Sequence, residues 1–496
     1  MGRQRPTRRQ VLTHGATAAA ALALGSAGTL AATRWAEPGE ISGSAAPGAL
    51  LDDASRLNPT SVRGVLFADA SSEDTAGTVA PLLRRIAAGQ DPPLAVAGVR
   101  HSMGGQSMLA GGWVLDTRPM NRIELDRAAQ VVRVGAGATW RELIPVLNAA
   151  GLSPKVMQSN HDFSVGGSLS VNCHGWHAGH PPIAGTVRRL RLLTASGDVL
   201  TCSPGENAEL FGLVLGGYGL FGVILDADLE VWPNAIYRPS FHAVRTSDYA
   251  ATFAALVDEG SEMAYGRLSV DPRNFLAEAI LVRFEPEAGT VGAVLPLTRP
   301  AAPELQRAVF RNSAGSGLGK TLRWHLEREA APWLARPMSR NTIQNQPAAV
   351  FADHSEQTSD ILHEYFVPRQ RLWEFVQAAR PLIADGGVEL LNVTVRDVRR
   401  DTRSVLAYAR QDVFGLVMNF RQERTAAADG RMRELTRALI DAADRAGGTF
   451  YLPYRVHATA AQLRRAYPAW TAAMAAKARL DPRLVFRNAL FDTYSG

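Results

Sequence analysis

With 496 residues, 46% of them apolar and 20% charged, the chain can bury two or three cores and is too apolar for wholesale disorder. Its net charge of +6 comes from arginines interleaved with acids along the whole length. No nucleic-acid motif accompanies that charge, so it reads as a solvated basic surface. Two cysteines, Cys173 and Cys202, are too few for a disulfide framework and lack metal-site spacing.

The first residues are basic and end in Arg8-Arg9, and a weakly apolar, Ala-rich segment runs from Gly15 to about Ala32. This is the layout of a twin-arginine export signal; the alternative is an Ala-rich extension with a chance arginine pair. The expectation is a signal over 1–36 and a flexible linker over 37–58. It places the mature protein in the periplasm or outside the cell, with the twin-arginine export machinery as a partner and no membrane span.

Mixed strand and helix patterns then follow at short intervals. Pro59–Phe67 holds β-rich runs, and Ser72–Gly89 puts Val79, Leu82, Leu83 and Ile86 on one helical face. The short strand Pro93–Val96 opens the loop Ala97-Gly98-Val99-Arg100-His101-Ser102-Met103-Gly104-Gly105-Gln106. Glycines around an Arg-His-Ser core let backbone approach an anion closely, although most glycine turns only reverse the chain. Strands are expected at Gly111–Asp116 and Ala129–Val134, then a helix from Trp140 to Ala150 capped by Thr139 and ended by Gly151. No G-x-G-x-x-G follows a strand, which argues against a Rossmann domain.

Ser164-Val165-Gly166-Gly167-Ser168-Leu169-Ser170 continues into Val171-Asn172-Cys173-His174-Gly175. So dense a run of small residues leaves backbone amides free to face a large flat ligand. His174, His177 and His180 have no accompanying carboxylate set at ligand spacing, so no metal is expected. Val187–Thr201 reads as a hairpin turning at Ser196-Gly197-Asp198, and Gly216–Gly222 enters the strand Val223–Val231.

In order and content these stretches resemble the vanillyl-alcohol-oxidase type of FAD enzyme, in particular aldonolactone and alditol oxidases and the decaprenylphosphoryl-ribose oxidases. The resemblance runs from about Ser61 to Pro233 tightly and onward loosely. It implies an α+β fold: a PCMH-type, two-subdomain FAD-binding domain over 59–233 and an α+β substrate (cap) domain with an antiparallel sheet over 234–446. A C-terminal segment, 447–496, returns to the FAD domain. The implied cofactor is FAD, held by Gly98, Val99, Arg100, His101, Ser102, Met103, Gln106, Gly166, Gly167, Ser168, Ser170, His174, Gly175, Gly222, Val223, Ile224 and Asn488. In the covalent members the histidine of a Gly-x-x-His-Ser loop carries the flavin, which assigns that tether to His101; hydrogen bonding alone is the alternative.

The second half has strand patterns at Phe241–Val244, Ala279–Phe284 and Phe414–Phe420, helical spacing at Tyr249–Leu256 and Leu372–Leu382, and an Arg/Ala/Pro-rich helical excursion over Arg299–Trp333. Glu364 lies in Leu362–Pro368, similar to a Glu-Tyr-x-x-Pro strand of sugar-oxidising relatives; a carboxylate on an apolar strand is either paired or used. Asn392, Thr394 and Arg396 alternate on one strand face, where the resembling oxidases carry Glu-x-Arg. Tyr454 stands where they carry a lysine and is either a base with a lowered pKa or a buried aromatic. These five residues are the catalytic candidates. The implied function is FAD-dependent oxidation of a CH–OH group in a sugar, polyol or aldonolactone, with O2 or another acceptor taking the electrons. Departures from Glu-x-Arg and from the lysine leave open amine or aromatic-alcohol oxidation, as in cytokinin dehydrogenases, and a flavin holder without turnover.

Overall fold

The computed structural model describes residues 48–257, 261–297, 310–348, 353 and 355–495; the export signal of 1–36 lies outside them. The strands, in chain order, are β1 (Leu50–Leu51), β2 (Thr60–Ser61), β3 (Gly64–Phe67), β4 (Leu94–Ala97), β5 (Trp113–Asp116), β6 (Ile123–Asp126), β7 (Val131–Gly135), β8 (Leu152–Pro154), β9 (Val187–Leu193), β10 (Val199–Cys202) and β11 (Val223–Pro233). They form a two-stranded antiparallel pair β1-β2, a small parallel sheet β3-β5-β4, and an antiparallel sheet β10-β9-β11-β7-β6 with β8 on β11. The helix Ser72–Ala87 starts where Ser71 accepts a hydrogen bond from the Asp74 N–H, and its Val79, Leu82, Leu83 and Ile86 share one core with Leu94 and Leu115 of the small sheet and Val132, Val134, Leu190 and Leu192 of the large one. Thr139 and Glu142 close a reciprocal cap on the helix Trp140–Asn148.

The cap domain is an antiparallel sheet of β12 (Ile236–Arg245), β13 (Met263–Leu268), β14 (Glu278–Pro286), β15 (Met338–Ser339), β16 (Thr358–Pro368), β17 (Glu389–Val398), β18 (Val413–Glu423) and β19 (Thr449–Phe450), in the spatial order β15-β12-β14-β13-β17-β18-β16-β19. Strand alternation sorts its faces. Phe414, Leu416, Met418 and Phe420 of β18 join the core cluster that also holds Phe375, Val376, Met432 and Leu439 of the helices Leu372–Asp385 and Ala426–Arg445. Gly415, Val417 and Asn419 are left for the opposite face. The excursion expected over 299–333 is helical from Gly317 to Leu334, interrupted by one π turn, and residues 298–309 lie outside the description.

The chain then returns to the small parallel sheet. Phe486 bridges Leu94 in parallel, and the Leu94 N–H donates to Val485 O while Arg487 N–H donates to Leu94 O. The buried Lys477 ammonium donates to Leu220 O at 2.6 Å. The linker expected over 37–58 needs correction. Leu50 and Leu51 pair with β2, Leu51 is buried, and the buried Asp53 carboxylate collects the Ser55 and Gly105 N–H groups and the Asn58 amide. An anchored acid, rather than flexible chain, precedes the FAD domain.

Candidate active site

The His101 loop is tied down on three sides. Gly105 N–H donates to Asp53 at 2.9 Å, Met103 N–H donates to Pro453 O at 2.7 Å, and the Gln106 amide donates to Leu452 O at 2.7 Å and Tyr454 O at 2.9 Å. Gly104 has to be glycine here, because a Cβ would come within 2.4 Å of Tyr454 O. The loop of the FAD domain and the C-terminal segment thus hold each other. Arg100 adopts the left-handed conformation at φ 53°. The His101 ring lies 4.4 Å from that of Phe163, and burial keeps its pKa below 6.5 against the pull of Asp162, so the imidazole is neutral at pH 7.

Beneath the cap sheet a cleft encloses about 1250 Å³ of empty space, its open mouth included. Of the seventeen proposed cofactor residues, Gly98, Val99, Arg100, His101, Ser102, Gln106, Gly166, Gly167, Ser168, Ser170, His174, Gly222 and Ile224 line it, and Met103, Gly175, Val223 and Asn488 do not. Each miss has a cause. The Met103 sulfur turns to the Leu362 N–H, and a Cβ on Gly175 would meet Met157 O at 2.1 Å. Val223 points to the other face from Gly222 and Ile224, and Asn488 supports the wall from behind by donating to Tyr218 O. The amides expected to face a ligand are partly spent, since residues 165–170 form a short helix: the N–H groups of Val165, Gly166 and Ser168 donate to Ala138, Ala136 and Ser164 carbonyls. Ser164 and Tyr218, which lie within the glycine-rich runs but were not among the proposed cofactor residues, also line the cleft, as do Phe163 and Val417, which carry no motif that would have announced them.

Of the five catalytic candidates, Glu364, Arg396 and Tyr454 meet on the wall, whereas Asn392 and Thr394 sit on the same sheet face without lining the cleft. Glu364 is the one carboxylate among the lining residues, and its side chain is fully buried. Its Oε1 lies 2.8 Å from His174 Nε2 but out of line for a hydrogen bond, and neither atom has a hydrogen-bond partner among the described residues. Gly415 makes the room, because a Cβ there would come within 2.9 Å of that oxygen. The Tyr454 hydroxyl donates to Glu364 Oε2 at 3.4 Å. Burial and the adjacent carboxylate hold the Tyr454 pKa well above 10, which corrects the reading of Tyr454 as a base: it stays protonated and donates. Arg396 donates to Ser159 at 2.9 Å and keeps its Nε buried and unpaired among the described residues.

The other side of the cleft asks for an anion. Arg100 Nε and Nη1, Ser107 Oγ and Ser164 Oγ are buried without hydrogen-bond partners among the described residues. The carboxylate nearest Arg100, Asp116 at 3.8 Å, is already gripped in a fork by Arg118. Gly98 and Gly166 let backbone form the wall, since a Cβ on either would come within 2.6 Å or less of Ser164 Oγ or Ala136 Cβ. A long ligand with a buried diphosphate fits this set of donors.

The family model described as an FAD binding domain matches residues 75–203. Residues 75–203 are an FAD-binding domain. The chain is also homologous to FAD oxidoreductases. It is 32% identical over 227 residues to cytokinin dehydrogenase 1 of Oryza sativa subsp. japonica, covering 43% of this chain and 42% of that protein. An uncharacterized oxidoreductase in the fasciation locus of Rhodococcoides fascians is 35% identical over 148 residues, 34% of its length. Cytokinin dehydrogenase 10 of Oryza sativa subsp. japonica is 26% identical over 459 residues, 81% of this chain and 80% of that protein. The chain therefore spans less than half of the first of these relatives and about four-fifths of the last, at low identity. Arg100, Ser107, Ser164 and the glycine-lined backbone are the groups on this wall that would hold such a cofactor. Among the described residues no cluster of metal-ligating side chains occurs, and both cysteines are buried and unpaired, burial pushing the Cys173 thiol up to about 12.

Proposed function

We propose that the protein is an FAD-dependent oxidoreductase that oxidises a CH–OH group of a sugar, polyol or aldonolactone. The observation that carries this is Glu364, a buried carboxylate on the cleft wall whose Oε2 accepts from a protonated tyrosine and whose Oε1 lies 2.8 Å from His174 Nε2, with Arg396 on the same wall. Bound FAD supplies the acceptor for a hydride from the carbinol carbon. Glu364 takes the hydroxyl proton as that C–H bond breaks, so a carbonyl forms and charge balances. Arg396 and the Tyr454 hydroxyl, both donors, orient the substrate oxygen, and the aromatic ring of His174, 5.3 Å from Phe366 and 5.9 Å from Tyr451, belongs to a wall that limits water beside the base.

A second reading, amine oxidation, draws on the cytokinin dehydrogenases among the relatives. Arg396 on the wall opposes a cationic amine, which favours the alcohol. Anaerobic addition of polyols, aldonolactones, amines and aromatic alcohols separates the two: bleaching of the flavin by alcohols or lactones supports the proposal, and bleaching by amines alone overturns it. No bleaching by any class leaves a flavin holder without turnover.

We assign His101 to a covalent tether, supported by its neutral ring in the loop that lines the cleft. Acid precipitation is then expected to leave yellow colour in the pellet of the parent and release it from His101→Ala. Export through Arg8-Arg9 belongs to the same proposal; replacing both by Lys should retain FAD-loaded precursor in the cytoplasm. Among the described residues no helix is long and apolar enough to cross a membrane.

A further inference from the structure

The register of three cap strands puts Asn419, a residue without a motif, beside Asn392 on the sheet face that borders the cleft, one row beyond its lining residues Glu364 and Val417. Asn392 of β17 is paired with Asn419 of β18, which is paired with Leu362 of β16; two residues along, Thr394, Val417 and Glu364 form the next row, and Arg396 and Gly415 the one after. Paired residues of an antiparallel sheet project to one face, so both asparagines share the face whose Leu362, Val417, Glu364 and Arg396 line the cleft. The register shift between Leu390 and Asn392 ends the row and bends β17 immediately beyond it, a common device next to active sites.

Both amides are more than nine-tenths buried, at 8% and 6% exposure, and the Oδ1 of each has no hydrogen-bond partner among the described residues. Asn392 spends its amide nitrogen on Thr394 Oγ1 at 3.3 Å. A buried carbonyl without a partner is costly, and two side by side at the edge of a cleft are more so. Apolar residues of the same size would serve a purely structural wall better.

We infer that Asn392 and Asn419 form a second hydrogen-bonding subsite that reads substrate hydroxyls several carbons away from the reacting one. The inference rests on the alcohol reading above. An uncharged amide offers one acceptor and one donor group, and a hydroxyl can satisfy either, whichever way the amide is turned. With strands about 5 Å apart and roughly 7 Å between alternate residues, Asn419 lies about 8 Å and Asn392 about 12 Å from Glu364, Cα to Cα, which suits a chain of about five or six carbons. Such a site also rejects substrates that lack the distal hydroxyl, because the amides would then stay unpaired.

The test is anaerobic flavin reduction by glycerol, erythritol, xylitol and sorbitol, together with thermal melting of the FAD-loaded protein, in the parent, Asn392→Leu and Asn419→Leu. The parent should gain about tenfold or more in reduction efficiency from glycerol to the longer polyols, and each variant should lose most of that gain, as expected when one or two hydrogen bonds are removed. Melting temperatures of the leucine variants should equal or exceed the parent's, because an unpaired acceptor gives way to an apolar group of similar volume. The inference alone is overturned if alcohols reduce the flavin but the variants keep the parent's length profile, or if leucine lowers the melting temperature, which would mean that the amides are satisfied within the fold. If no alcohol of any length reduces the flavin, the alcohol reading falls and takes the subsite with it.

Discussion

The two walls of the cleft are built on different principles. On the FAD-binding side the backbone itself forms the surface: Gly98 and Gly166 admit no Cβ, Arg100 is left-handed, and the unpaired donors are held by loops. On the cap side a rigid sheet presents side chains, and what faces the cleft is decided by strand pairing: Leu362, Glu364, Arg396 and Val417 line it while their sequence neighbours turn to the helices. A backbone-built wall suits a ligand that never changes, whereas a side-chain grid can be altered one residue at a time. Under the proposed function the first wall would hold the cofactor and the second would choose the substrate.

The strongest way to sharpen this division is to disable the cap side alone. Glu364→Gln keeps the shape beside Gly415 and removes the proton acceptor. The rate of flavin reduction by an alcohol substrate should fall by about 10²–10⁴-fold, the usual contribution of a positioned general base. The flavin absorbance per protein should stay at the parental level. A loss below tenfold would put the base elsewhere; a loss of bound flavin would show that the cap wall also holds the cofactor.

The same division explains what could be read from the sequence. Glycines and an Arg-His-Ser core leave a local signature, so most of the residues that line this side of the cleft were legible, as were the strands, the helix caps and the antiparallel sheet of the second half. The failures there were matters of aim: Val223 sits beside two lining residues but alternates away, and Gly175 is glycine because of Met157 O and not because of a ligand. On the cap side Glu364 and Arg396, singled out by type, do line the cleft, whereas the position of Asn419 could not be read, because only its pairing with Asn392 and Leu362 puts it on that face. The anchoring role of Asp53 was hidden for a like reason: its partner Gly105 lies 52 positions along the chain.

Breaking the other wall should have the opposite signature. In Gly166→Val the new Cβ would lie 2.6 Å from Ala136 Cβ and 2.8 Å from Ala136 O, at the end of β7, where backbone cannot retreat without disturbing the sheet. Overpacking of this kind typically costs about 1–3 kcal/mol. The expected result is a folded protein that copurifies with less than about a tenth of the parental flavin, an approximate loss equivalent to one such increment. Whatever flavin remains should be reduced by substrate at close to the parental rate, since Glu364 and Arg396 are untouched. Parental flavin content in this variant would show that the wall yields, contrary to its construction from backbone.

The smallest effect is expected at the joint between the walls. Asp162 accepts the Ala348 N–H of the cap segment at 2.5 Å and pairs with Arg141, and His161 lies 3.3 Å away while its own N–H donates to Gln346 O. Burial raises the Asp162 pKa, but His161, the Ala348 N–H and Arg141 outweigh it and hold the carboxyl at about 2, below its ordinary 3.8. A carboxylate with a depressed folded-state pKa stabilises the protein above its unfolded pKa, and that stability is lost as the pH falls through the folded value. The contribution should therefore be complete at pH 5 and above, decline from about pH 4 and vanish near about pH 2, with a size on the order of 2 kcal/mol. Urea unfolding of the parent and Asp162→Asn should differ by about that amount at pH 7 and converge toward the acid limit. Because Asp162 precedes Phe163, which stacks on His101, the variant should also release noncovalent flavin at a lower urea concentration than the parent. Curves that stay equally far apart at every pH would show that the carboxylate acts by shape alone and that the walls are joined elsewhere.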